Sequence, residues 1–177
     1  GFDRFLGISA SLDMPPFVFL SQDRSTTVPV DRVAASPGPK MWRAGVIGPD
    51  FRHEEVHPRF RREALSWIES RARARAVDGT PFFLYLALAS PHTPTVPTPE
   101  FAGRTRTNPY GDFVVQVDAT VGDILDSLDT LGISRNTLVV FTADNGCSPA
   151  ANLGELRGFG HDPSAGFRRH KADLFEG

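Results

Sequence analysis

The sequence predicts an α/β fold, and three segments carry that prediction. Two continuous apolar runs of strand length, Phe82–Ala89 and Thr137–Phe141, have the composition of strands buried on both faces of a parallel sheet. Between them, apolar residues recur at three- and four-residue steps up to Gly132, which predicts an amphipathic helix. A strand, a loop, a helix and a strand in this order are typical of a parallel sheet covered by helices.

The helix between the two runs has clear end signals. Pro109 suits its first turn and Gly132 suits its C-terminal cap. The residues expected to form its buried stripe are Val114, Val117, Val121, Ile124, Leu128 and Leu131. A second helix is predicted over Pro58–Val77, because Phe60, Ala64 and Ile68 fall on one face.

Residues 1–57 give weaker signals. Ser36–Pro39 and Gly48–Asp50 are strong turn signals, and only Phe17–Leu20 has the pattern of a short strand. We therefore expect residues 1–57 to be irregular and residues 58–177 to form the α/β part of one catalytic domain.

Composition excludes several function classes. The 177 residues are 40% hydrophobic and include 14 Phe, so a sizeable core is expected. The net charge of −2 gives no electrostatic reason to expect nucleic acid as a partner, and one cysteine excludes an internal disulfide framework. The longest apolar run is far shorter than the ~20 residues that span a bilayer, so no membrane span is expected. The chain begins at Gly1 without an initiator Met and stops at Gly177, so we expect a piece of a longer protein.

Polar residues follow each apolar run directly. Ser90, Pro91 and His92 come after the first run, and Asp144 and Asn145 come after the second. Because parallel strands end at the same edge of a sheet, His92, Asp144 and Asn145 are expected to share one crevice. A carboxylate beside an amide oxygen suits a hard cation such as Ca²⁺ or Mg²⁺. Two alternatives stay open, since Asp-Asn-Gly also forms tight turns and a His in a Pro-rich loop is often an ordinary surface residue.

Two further motifs have competing interpretations. His53–His57 matches the H-E-x-x-H pattern of zinc proteases, which requires a continuous helix. Pro58 follows directly and disfavours helical geometry in the residue before it, so we expect no helix there. Cys147 is a candidate nucleophile, although nothing near it in the sequence indicates a lowered pKa.

Taken together, these motifs resemble the sulfatase family of the alkaline-phosphatase-like superfamily. The matching stretches are Pro81–Leu86, Pro91–Pro94, Gly111–Gly122, Thr137–Gly146, Arg169–Asp173 and Glu176–Gly177. The match is specific from Pro81 onward, whereas the first half resembles the variable region around the family's substrate mouth. The resemblance implies an alkaline-phosphatase-like central sheet flanked by helices, incomplete at both ends of this chain.

The resemblance also implies roles for individual residues. Asp144 and Asn145 correspond to two ligands of a divalent cation, usually Ca²⁺ and less often Mg²⁺. His92 and Lys171 correspond to the residues that contact the sulfate and its leaving oxygen. The family's nucleophile is a formylglycine formed in a C-x-P-S-R motif. Cys147 begins a sequence that lacks the required Arg, so the nucleophile and the remaining cation ligands are expected upstream of this chain.

The implied activity is hydrolysis of a sulfate ester on a small molecule or a carbohydrate, with no activity expected from this chain alone. Two alternatives remain. One is a phosphomonoester or phosphodiester hydrolase of the same superfamily, although Asn145 stands where the two-zinc enzymes typically have His. The other is a non-catalytic α/β module that binds a partner through its Pro-rich loop. The compartment stays open, although the resemblance suggests a periplasmic, secreted or lysosome-like protein.

Overall fold

The computed structural model describes residues 1–174, with the side chain of Pro39 left out. Glu176 and Gly177, the last motif of the resemblance, lie outside the described residues. The described residues form an α/β arrangement of two small antiparallel sheets followed by helices. Among them, no helix is long and apolar enough to cross a membrane.

The first part of the chain is more ordered than the sequence predicts. One sheet has the order β1 (Leu6–Ile8), β2 (Phe19–Ser21) and β3 (Arg24–Ser25), and a second pairs β4 (Asp31–Val33) with β5 (Gly45–Ile47). The region is therefore irregular over most of its length, with short paired strands between its loops. These strands are two or three residues long, which is too short for a period-two pattern to be recognised.

Helix α1 spans His53–Asp78 and begins five residues before the predicted start at Pro58. Pro58 lies inside the helix, where it removes only one backbone donor. Burial of the face that includes His53, Val56 and His57 outweighs this local cost. The helix ends at Gly79, whose φ of 74° allows its N–H to bond the Arg75 carbonyl.

Helix α2 spans Pro109–Thr130 and confirms the predicted helix. The Asn108 side chain caps its start by accepting hydrogen bonds from the N–H groups of Tyr110 and Gly111. The predicted stripe is confirmed in part, because Val117 and Leu128 are buried and Val121, Ile124 and Leu131 are half-buried, whereas Val114 is 40% exposed. The full set of buried residues is Asp112, Phe113, Gln116, Val117, Thr120 and Leu128. Polar groups occupy this face because they bond to α1 and to a neighbouring loop.

One hydrophobic core joins β2, α1 and α2. Its buried members are Leu12, Phe17, Phe19, Phe51, Val56, Phe60, Val96 and Phe113. We call these eight residues the closed core. Helices α1 and α2 pack directly against each other over this core.

The two apolar runs are not buried strands in the described residues, so that prediction is wrong. Neither run forms a ladder with another segment of residues 1–174. Phe82–Ala89 is half-buried on one side, where Leu86 and Leu88 contact the closed core. Thr137–Phe141 has no such cover, and we call it the open run. The described chain supplies no neighbouring strand for either segment.

Candidate functional site

An open cleft of about 790 Å³ lies where the open run ends. One wall is residues 142–147, which include Asp144 and Asn145, and the other includes Lys171. The backbone N–H of Lys171 donates to the Cys147 carbonyl at 3.0 Å, which joins the two walls. Asp144, Asn145 and Lys171 therefore line the same cleft.

A small apolar cluster fixes the base of the first wall. Cys147 is buried with Ala151 and with Leu156 of the short helix α3 (Leu153–Gly158), and Tyr110 packs against them. Burial raises the pKa of the Cys147 thiol, and a hydrogen bond with Tyr110 only partly offsets that effect. A buried thiol held in its neutral form is a poor nucleophile. Cys147 therefore anchors the wall by packing.

Asp144 and Asn145 line the cleft. Both residues are exposed, and neither side chain makes a hydrogen bond or ion pair with any described residue. A carboxylate and an amide oxygen form a donor set that suits a hard cation. Ca²⁺ takes about six to eight oxygen ligands, so these two residues supply part of a shell. Among the described residues, no group of three or more His, Cys, Asp or Glu side chains is arranged to hold a metal.

Lys171 lies in a loop whose backbone is held locally. The neighbouring His170 ring contacts the Lys171 carbonyl at 3.0 Å and the Asp173 carboxylate at 3.4 Å. The Lys171 ammonium forms no ion pair within residues 1–174. The cation is thus available to a negatively charged ligand in the cleft.

His92 lies on a different loop and is not among the residues that line this cleft. It is exposed, and its Nδ1 lies 2.6 Å from the Thr93 carbonyl. Because a carbonyl only accepts, Nδ1 carries the proton of this bond and Nε2 faces away from it. The structure therefore gathers three of the four predicted site residues and leaves the joint action of His92 with them a prediction.

His53 and His57 lie in α1, contrary to the expectation that Pro58 would prevent a helix there. His53 stacks on Trp42 with ring centroids 4.1 Å apart, and its Nε2 has no partner in the described structure. Both ring nitrogens of His57 are engaged, one by Ser90 and one by Thr120. Burial, with the nearby Arg61 charge, lowers the pKa of His57 to about 4, so its ring is neutral.

Sequence reasoning missed the role of His57. The four-residue spacing of His53 and His57 indicates one helix face. No sequence signal connects His57 with Ser90, which lies 33 residues away.

Comparisons with known proteins point to one family. The family model described as Sulfatase matches residues 1–169, a range that includes His92, Asp144 and Asn145 and ends two residues before Lys171. The chain is 33% identical over 140 residues to the N-acetylgalactosamine-6-O-sulfatase of Bacteroides thetaiotaomicron, covering 76% of this chain and 26% of that protein. It is 43% identical over 101 residues to the steryl-sulfatase of Rattus norvegicus, covering 55% of this chain and 17% of that protein.

A solved structure gives the same answer for the fold. It was described in work on the metabolism of multiple glycosaminoglycans by Bacteroides thetaiotaomicron, and it superposes with a TM-score of 0.77 at 27% identity. The superposition covers 99% of this chain and 43% of that chain. The chain thus spans about a quarter of the Bacteroides sulfatase and under half of this structural neighbour.

Proposed function

This chain belongs to the sulfatase family and has its alkaline-phosphatase-like α/β fold, and we propose that the complete protein hydrolyses a sulfate ester. The observation that carries the proposal is the cleft of a sulfatase-family chain in which Asp144, Asn145 and Lys171 meet. An ammonium and a pair of oxygen ligands that line one cleft suit a substrate that carries a fixed negative charge.

The chemistry of sulfate transfer explains why these residue types are needed. When the bond between sulfur and the ester oxygen breaks, negative charge accumulates on the leaving oxygen. Lys171 would hold a sulfate or bridging oxygen through its ammonium. His92 would donate a proton to the leaving oxygen from Nε2, which requires the doubly protonated ring because Nδ1–H is already donated to the Thr93 carbonyl. Donors fixed in place before the reaction stabilise developing charge without reorganisation. The nucleophile, a formylglycine, would come from a part of the protein outside this chain.

Asp144 and Asn145 would hold a divalent cation, with Ca²⁺ favoured over Mg²⁺. Their oxygens are exposed and unengaged within the described residues, which fits a ligand pair awaiting further ligands. A bound cation polarises a sulfate oxygen and neutralises charge at that oxygen. Mg²⁺ demands an almost ideal octahedron, whereas Ca²⁺ tolerates a flexible shell built from several segments.

A sulfated carbohydrate is the proposed substrate class. One relative is named for 6-O-sulfated N-acetylgalactosamine, and the structural neighbour belongs to work on glycosaminoglycans. The cleft is open to solvent, which leaves room for a sugar to extend beyond its sulfate group.

The test is turnover of N-acetylgalactosamine 6-sulfate and of a chromogenic aryl sulfate by the complete protein. Lys171→Ala and His92→Ala should each lower kcat by about a hundred- to a thousandfold, because each removes one donor to a developing anion. The matched controls are Lys40→Ala, which changes the chain's other lysine, and His161→Ala, which changes an exposed histidine. Both should leave kcat unchanged.

The cation sites are tested by Ca²⁺ titration. Asp144→Ala should raise the Ca²⁺ concentration needed for half-maximal activity, since it removes a charged ligand. Turnover of phosphate esters in preference to sulfate esters, or full activity of Lys171→Ala, would contradict the proposed function.

A further inference from the structure

A buried chain of hydrogen bonds joins α1, α2 and the segment that carries His92. His57 of α1 contacts Ser90 through Nδ1 and Thr120 of α2 through Nε2, the latter at 2.7 Å. His57 and Thr120 are 5% and 1% exposed, and Ser90 is 9% exposed. This network lies beside the closed core and outside the cleft.

The direction of each hydrogen bond follows from its neighbours. The Thr120 hydroxyl donates its one proton to the Gln116 carbonyl at 3.1 Å. Thr120 Oγ1 must therefore accept from His57 Nε2–H, because a hydroxyl has one proton to donate. A neutral imidazole protonated at Nε2 has a lone pair at Nδ1, so the Ser90 hydroxyl donates to that nitrogen. One tautomer of His57 satisfies every member of the chain.

The far end of the same loop has a second anchor on α2. Gln116 Oε1 accepts a hydrogen bond from the Thr98 backbone N–H at 2.9 Å, and Gln116 is 3% exposed. Gln116 and Thr120 lie one helical turn apart on the same face. The loop from Ser90 to Thr98 is thus attached at both ends to one short stretch of α2, at Ser90 through His57 and at Thr98 directly.

Between these anchors the loop presents His92 to solvent. The middle of the loop is also secured, since Thr95 and Val96 are buried and Val96 belongs to the closed core. His92 is the loop's titratable side chain, and it is exposed. A loop that is held at both ends and keeps its imidazole exposed is what a positioned proton donor requires.

We propose that His57 and Gln116 are positioning residues that fix the Ser90–Thr98 loop, and with it the place of His92 relative to the substrate. This inference rests on the proposed function, because it assigns both residues a role that acts through His92. Buried apolar side chains would fill the same space, but they would not set the direction of the loop's first and last residues. The two hydrogen-bonded anchors do so.

Two substitutions of His57 in the complete protein separate the two halves of the network. Asn places an amide oxygen where Nδ1 lies, so His57→Asn keeps the acceptor for Ser90 and loses the bond to Thr120. Gln places an amide N–H where Nε2 lies, so His57→Gln keeps the bond to Thr120 and loses the anchor for Ser90. Both remove the ring, and each is therefore the packing control for the other.

The anchor for Ser90 should decide activity. His57→Gln should lower kcat about 10- to 100-fold, while His57→Asn should stay within about threefold of the wild type. Gln116→Met, which removes the acceptor for Thr98 at similar volume, should lower kcat like His57→Gln, and Gln116→Glu should restore it by supplying an oxygen again. Ser90→Ala removes a single hydroxyl and gives the same test if a His57 variant fails to fold. Equal kcat in His57→Gln and His57→Asn would overturn the proposal.

A double-mutant cycle with His92→Ala distinguishes positioning from a general loss of stability. If the anchors act through His92, adding Gln116→Met to His92→Ala should change kcat less than about twofold further. Independent, multiplied losses would overturn the positioning role. If His92→Ala lowers kcat while the anchor variants do not, the proposed function stands and this inference fails. If His92→Ala itself has no effect, the proposed role of His92 fails, and the positioning role fails with it.

Discussion

The closed core and the open run have similar residues and opposite surroundings. Phe17, Phe19 and Phe51 are each 1% exposed, since β2, α1 and α2 enclose them. In the open run, Leu138 is 89% exposed and Phe141 is 71% exposed. Hydrophobicity alone therefore does not decide burial. An apolar segment is buried only where other elements cover it, and within residues 1–174 nothing covers the open run.

This difference in burial gives the closed core and the open run different structural roles. The closed core holds α1, α2 and the Ser90–Thr98 loop in fixed relative positions. The open run leads directly into Asp144 and Asn145, so the surroundings of the run affect where those two residues lie. The same argument applies to the outer side of Phe82–Ala89, where Phe83 and Tyr85 are each 72% exposed.

The largest expected effect concerns solubility of the 177-residue chain. Uncovered apolar strand segments promote association between copies, so this chain should form aggregates when it is expressed alone. Leu138→Lys with Val140→Lys should shift it toward monomer in light scattering and size-exclusion chromatography. Val28→Lys with Val30→Lys, at two residues that are 73% and 74% exposed outside the open run, is the matched control. A monomeric wild-type chain with a cooperative thermal transition would break the comparison.

One substitution made in each region measures the contrast in stability. We call the chain with Leu138→Lys and Val140→Lys the soluble chain. In the soluble chain, Phe17→Ala should lower the free energy of unfolding by about 3–5 kcal/mol, because it leaves a cavity in the closed core. Phe141→Ala should change it by less than about 0.5 kcal/mol, because that ring is already in contact with water. Urea titration followed by tryptophan fluorescence gives both values. Equal losses would show that the open run is covered in solution.

These two regions also show what the sequence could predict and why the rest escaped it. Helix α2 was predictable because its signals are local: Pro109 in its first turn, an apolar period, and a glycine after its end. The start of α1 was not, because burial of His53 and His57 outweighs the effect of Pro58 on its neighbour. That burial depends on Phe17, which contacts His53, and on Ser90, which contacts His57, and both are distant in sequence.

The residues of the site also differ in how far the sequence could predict them. Asp144, Asn145 and Lys171 stand in short motifs, and the resemblance of those motifs to the sulfatase family predicts a cation ligand pair and a sulfate contact. The Ser90–His57–Thr120 network has no such motif, because its members are joined only by tertiary packing. The strand prediction for the open run was right that the segment is apolar. Its burial on both faces requires neighbouring strands, and residues 1–174 supply none.

Acid should destabilise the closed core through His57. Its pKa is about 4 in the folded chain and about 6.5 when unfolded, so folding favours the neutral ring. The contribution of neutral His57 to the free energy of unfolding is fully present above pH 6.5. It is lost as the pH falls toward 4, by about 3 kcal/mol in total. Arg61, which lies nearby and pairs with Asp123, strengthens the effect by disfavouring a second positive charge. The urea midpoint of the soluble chain measured from pH 7.5 to 4.5 gives the slope.

His57→Gln is the control for this slope, because glutamine does not titrate. Other acid-sensitive groups, including His53, Asp50 and Asp112, are present in both chains and cancel in the difference. Parallel pH profiles of the two chains would contradict the assignment to His57.

The smallest expected effect concerns Asn108, which joins the start of α2 to the cluster that buries Cys147. Its Oδ1 caps α2, and its Nδ2 donates to the Ala151 carbonyl at 3.0 Å and to Glu155 at 2.8 Å, beside the cluster that buries Cys147. Asn108→Ala should cost about 1 kcal/mol through loss of the cap, whereas Asn108→Ser keeps a capping oxygen and should cost only a few tenths. Both lose the donations from Nδ2.

The reactivity of Cys147, the chain's one cysteine, measures the effect of losing the hydrogen bonds from Asn108 Nδ2. Cys147 is 9% exposed, and a thiol reagent reaches it only when the cluster with Ala151 and Leu156 opens. In the soluble chain, both Asn108 variants should therefore react with the reagent severalfold faster than the parent, although only Asn108→Ala loses much stability. If labelling instead followed global stability, Asn108→Ser would react like the parent. That result would mean that the cluster around Cys147 opens only with the whole chain, and that the cluster and the closed core form one cooperative unit.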